Sequence, residues 1–74
     1  MPKLPRNPNQ ARVVRALVRL GGTEQPGRGK GSHRLVEMPG ARRPIIVPTF
    51  INVPLMHGIL RESGITLDAF LEVY

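Results

Sequence analysis

The stretch Arg28-Gly29-Lys30-Gly31-Ser32-His33-Arg34 holds the residue types most able to do chemistry in this chain. An imidazole with an ordinary pKa near 6.5 can both give and take protons around neutral pH. Basic side chains at 28, 30 and 34, with glycine backbone between them, make a natural seat for a phosphate. Such a segment can bind RNA, and with a histidine in it the chemistry extends to cutting RNA. Metal-free cleavage uses the ribose 2′-OH as nucleophile. It needs a base for that hydroxyl, an acid for the departing 5′ oxygen and positive charge at the phosphoryl oxygens.

His33 can act as base or acid, and Arg28, Lys30 and Arg34 can neutralise the phosphate together with the N–H groups of Gly29 and Gly31. Ser32 reads as a turn residue or a further phosphate donor, since no triad supports it as a nucleophile. One histidine cannot be base and acid at once, so Glu24 or His57 would have to be brought near for a second role. The plainer alternative makes His33 a strand-start residue bonded to neighbouring backbone and His57 an ordinary solvent-facing helical residue. Two isolated histidines, scattered acids and no cysteine offer no metal site, and no cofactor is expected. The glycines at 27, 29 and 31 match neither a Walker A nor a dinucleotide fingerprint.

The elements that must position these residues follow from pattern and punctuation. Pro2, Pro5 and Pro8 exclude a helix from residues 1–8, which read as a disordered basic tail with nothing apolar to bury. Asn9 caps a helix from Gln10 to Leu20 that Gly21-Gly22 stops. Val13, Val14, Leu17 and Val18 lie on one side of it. Arg12, Arg15 and Arg19 lie on the other, as a solvated face or as a row that follows a phosphate backbone. Thr23-Glu24-Gln25 starts a short peripheral strand cut off by Pro26-Gly27. Ser32–Met38 and Pro44–Thr49 read as antiparallel strands joined at Pro39-Gly40-Ala41. Alternation sets His33, Leu35 and Glu37 against Arg34 and Val36 without deciding which set faces the core. Ile45-Ile46-Val47 is apolar on both parities, so it is covered on both sides or lies against a partner. Asn52 then caps a helix with Pro54 in its first turn and Leu55, Met56, Ile59 and Leu60 as its buried stripe. Gly64 ends that helix, and Thr66 caps a last short one through Glu72. The order α-β-β-β-α-α describes an α+β domain over residues 9–74, an antiparallel meander with helices on one face.

Seventy-four residues make one small domain, with a modest core. No apolar run reaches a membrane span, and the first residues lack a signal peptide's apolar centre. With the absence of cysteine, this leads to an expectation of a cytoplasmic protein. The net charge of +6 is unevenly spread: residues 1–43 carry ten basic residues against two acids, and residues 44–74 carry one against three. That asymmetry points to a polyanion-binding face. Phe50, Phe70 and Tyr74 are the only aromatics, too few for the base stacking of sheet-surface RNA binders.

Three signatures in order carry a family resemblance. Lys30-Gly31-Ser32-His33 opens the second strand, and Ile46-Val47-Pro48 closes the third. The run Ile59-Leu60-Arg61-Glu62-Ser63-Gly64-Ile65-Thr66 is then followed by Phe70-Leu71. From about residue 10 onward the chain resembles the HicA toxins, the mRNA interferase half of HicA–HicB toxin–antitoxin systems. It does so as a divergent member, with Thr49 and Phe50 where the family carries a longer segment. The resemblance implies a double-stranded-RNA-binding-domain-like fold and an endoribonuclease that cuts mRNA without the ribosome. It also implies His33 as the catalytic histidine and a HicB-type antitoxin as partner. Two other functions compete with it. One is a non-catalytic RNA-binding module on the same basic face. The other is an interaction protein that docks a partner strand on Ile45-Ile46-Val47.

Overall fold

Three side chains each start a helix by accepting a hydrogen bond from an otherwise orphaned N–H two or three residues into it. In the computed structural model, which describes residues 3–25 and 33–74, Asn9 accepts from Arg12 N at 3.2 Å and opens α1, Gln10–Arg19. Asn52 accepts from Leu55 N at 2.9 Å and opens α2, Val53–Ser63. Thr66 accepts from Ala69 N at 3.1 Å and opens α3, Leu67–Val73. Gly64 ends α2 in the left-handed region at φ 71°, which a residue without Cβ adopts freely.

Between α1 and α2 run β1 (Thr23–Glu24), β2 (Arg34–Glu37) and β3 (Ile45–Val47), an antiparallel meander in the order β1-β2-β3. Each strand is shorter than its sequence pattern predicts. The described residues thus form a small α+β domain with a three-stranded open sheet and three helices. No helix among the described residues is long and apolar enough to cross a membrane.

The register settles the faces that alternation left open. Val36 lies opposite Ile45, and Arg34 opposite Val47. Val36, Ile45 and Val47 are buried with Val13, Val14, Ala16 and Leu17 of α1, Met56 and Ile59 of α2, and Phe70 of α3. Leu35 pairs with Ile46 on the opposite face, where His33 and Glu37 are exposed. Ile46 is 55% exposed, so the apolar run of β3 is covered on one side only. Val18 is likewise 42% exposed, and Ala16 takes its place in the core. At 100° per residue Val18 sits past the edge of a stripe centred on Leu17. Leu4 packs half-buried against the core, which departs from a tail that buries nothing.

Gly22 is the most closely packed of the described glycines. A Cβ there would lie 2.5 Å from Met38 Sδ and 2.8 Å from both Leu17 O and Val36 Cγ1. Only a glycine lets the chain leave α1 and enter β1 directly over the buried end of β2.

Candidate nucleic-acid interface and catalytic cleft

His33 stands just before β2 and is exposed. It lines a cleft of about 410 Å³ beside β3, together with Arg43 from the β2–β3 connection, Ile46 and Pro48 of the β3 region, and Leu55 and Glu62 of α2. An imidazole, a guanidinium and a carboxylate therefore share one concavity. Arg43 and Glu62 also line an adjoining cleft with Arg42, so positive charge continues around the β2–β3 connection. Arg43 and Glu62 carry no local mark of a site in the sequence. They lie 10 and 29 positions from His33, and the packing of α2 against β3, the strand paired with β2, brings Glu62 to the cleft that His33 lines. The Ile59–Thr66 signature did contain Glu62, but nothing in its spacing marked it as a partner of a histidine.

The other expected site residues fall differently. Arg28, Lys30 and Ser32 lie outside the described residues. Arg34 is held by Glu24 through a two-pronged contact, Nε to Oε2 at 2.7 Å and Nη2 to Oε1 at 2.8 Å. The hydrogen bonds from Arg34, reinforced by its charge, hold the Glu24 carboxyl below its usual range and raise the guanidinium in return. Glu24 is thus committed to Arg34 and is not among the residues around the His33 cleft. His57 is exposed on α2 and does not line that cleft either.

Arg12, Arg15 and Arg19 are all exposed on α1, but the row is not uniform. Arg12 Nη2 donates to the Tyr74 backbone oxygen at 2.7 Å, and its guanidinium carbon lies 4.1 Å from the centre of the Tyr74 ring. Arg19 Nη1 reaches the Val73 oxygen at 3.5 Å, a long contact. Both cations sit where α3 leaves its last carbonyls, the negative end of the helix. Arg15 has no such tie among the described residues.

The backbone of β3 bears on strand docking. Gln25 N–H donates to Leu35 O at 2.9 Å, so the Leu35 backbone groups face β1. Arg34 and Val36 must then face β3, and Ile46, opposite Leu35, turns its N–H and C=O outward. Positions 44 and 48 share that outward parity and are both proline, which has no N–H to donate. An added strand would meet one donor, at Ile46, where three are needed for a continuous ladder.

The cleft and the fold together define a small α+β domain with a histidine-bearing concavity on a basic molecule. Compared with known families, curated proteins and solved structures, the chain finds no match.

Proposed function

We propose that this chain is a toxin-type endoribonuclease, a divergent relative of the HicA mRNA interferases on a double-stranded-RNA-binding-domain-like fold. One observation supports the reading above all: His33, Arg43 and Glu62 line the same cleft. Those three groups supply what metal-free RNA cleavage requires. The Glu62 carboxylate takes the proton of the 2′-OH as that oxygen attacks the adjacent phosphorus. The bond from phosphorus to the 5′ oxygen breaks, and His33 in its protonated form gives that oxygen a proton. Arg43 stabilises the charge on the non-bridging oxygens. The products are a 2′,3′-cyclic phosphate and a 5′-hydroxyl end, with Glu62 protonated and His33 neutral until solvent resets them. The basic residues of the first half, Arg28, Lys30, Arg34 and the α1 arginines among them, draw in the RNA. A HicB-type antitoxin binding over the cleft in the cytoplasm would silence the enzyme, and no cofactor enters the scheme.

A non-catalytic RNA-binding module is the second reading, and one observation favours it. His33 is exposed and has no hydrogen-bond partner among the described residues to orient its imidazole. Cleavage of an end-labelled RNA in excess chelator, by wild type and His33→Ala side by side, separates the two. The nuclease reading expects cyclic-phosphate ends from wild type only. Retained RNA binding with no cleavage by either protein would leave the binding module.

A further inference from the structure

Phe50 is 81% exposed, the most exposed large apolar side chain among the described residues. The other two aromatics are spoken for. Phe70 is fully buried, and Tyr74 packs between Phe70, with ring centres 5.2 Å apart, and the guanidinium of Arg12. The backbone under Phe50 is fixed rather than loose, because it forms an isolated antiparallel bridge with Asn9, the cap of α1. With Val53, 52% exposed in the same concavity, the ring presents a joined apolar surface to water on a pinned backbone.

Its surroundings name a ligand. Phe50 lines a concavity of about 350 Å³ with Arg6, Asn7, Asn52 and Val53. Asn52 uses Oδ1 to cap α2, which leaves its amide N–H groups as donors. Arg6 adds positive charge to a protein of net charge +6. This concavity adjoins the His33 cleft along the chain: Pro48 lines one and Thr49 the other. From Pro48 to Phe50 the backbone can span about 7 Å at most. An aromatic face, a cation for the next phosphate and an amide for a base edge, set this close to a cleft for the scissile phosphate, describe a nucleotide subsite.

We infer that Phe50 is a stacking platform for one nucleobase of a single-stranded RNA, with Arg6 on a flanking phosphate, next to the His33 cleft. The inference rests on the RNA-binding part of the proposed function but not on cleavage. The subsite fixes the register of the strand, so it selects which phosphate enters the cleft. Stacking on one ring is tolerant of base identity, and the Asn52 donors add a preference for bases with an acceptor on the exposed edge.

The chain has no tryptophan, so Phe50→Trp installs a single fluorescent reporter at the platform. The probe is a single-stranded 2′-O-methyl oligoribonucleotide, which lacks the nucleophile and cannot be cut. Quenching of Phe50→Trp on binding is expected, with affinity kept. Phe50→Ala is expected to weaken binding roughly 5- to 150-fold, the loss of one base stack, with an unchanged thermal melt. Unquenched tryptophan with wild-type affinity in Phe50→Ala would overturn the inference. So would intact RNA binding in Phe50→Ala accompanied by a change in oligomeric state, which would assign the ring to a protein contact. No binding of the probe by wild type would overturn the RNA reading and the subsite together. Quenching from a protein that never cleaves RNA would overturn the nuclease and leave the subsite standing.

Discussion

The Glu24 carboxylate and the Arg34 guanidinium meet through two hydrogen bonds of 2.7 and 2.8 Å across the β1–β2 pair. Because the contact is two-pronged, it also orients Arg34, and β1 is otherwise only two residues long. The side chains remain 37% and 34% exposed, so solvent screens the pair and its worth is about 0.2–1 kcal/mol. The Glu24 carboxyl is held below its ordinary value, so its contribution is fully present above the unfolded-state pKa. It is lost as pH falls through the lower folded-state value. Glu24→Gln should therefore unfold at lower denaturant than wild type near pH 7, and the gap should close in strong acid. A gap that persists unchanged in acid would mean the ion pair is not its source.

Gly22→Ala tests the crossing of α1 and β2. Its Cβ would collide with the Leu17 carbonyl as well as with the flexible Met38 side chain, and the backbone carbonyl cannot step aside. Overpacking of this kind costs about 1–3 kcal/mol. Urea denaturation should show that loss with little change in slope, and a neutral result would mean that the turn after α1 relaxes more readily than its packing implies.

The α1 arginines should separate by what holds them. Arg12→Ala removes the contact with the Tyr74 ring and backbone oxygen and should cost about 0.5–1.5 kcal/mol of stability. Arg15→Ala should leave stability alone. If α1 follows the RNA backbone, it should reduce the slope of log affinity against log salt by about 0.7, the value for one phosphate contact on a single strand. Equal slopes for wild type and Arg15→Ala would remove α1 from the binding face.

Glu62→Gln keeps the size of the side chain but removes its capacity to accept a proton. With Glu62 as base and His33 as acid, the pH profile of kcat/KM should lose its acidic limb and the rate should fall about 10²–10⁴-fold. RNA binding should be unchanged. Glu62→Asp should recover part of the rate, and a full bell-shaped profile in Glu62→Gln would assign the base elsewhere.

Local features of this protein were legible in its residues. Asn9, Asn52 and Thr66 cap helices and Gly64 ends one, because each of those roles is played out within three or four positions of the chain. The α+β order and the antiparallel meander followed from the same punctuation. Strand faces were not legible, since β2 alternates two mixed sets. Only the pairing of Val36 with Ile45, under α1, told which set is buried.

The site divided along the same line. His33, among basic residues and glycines, was visible as a chemical group from its neighbours in sequence, and the uneven spread of positive charge needed only counting. Its companions were decided by tertiary structure. Glu24 looked available as a second acid and is bound to Arg34, while Glu62 carried no local mark and arrives at the cleft on α2. A helix cap or a turn is chosen by neighbours along the chain, which the sequence displays. A proton donor's partner is chosen by which helix packs beside which strand, and that depends on the burial of Met56, Ile59 and Phe70 rather than on the partners themselves.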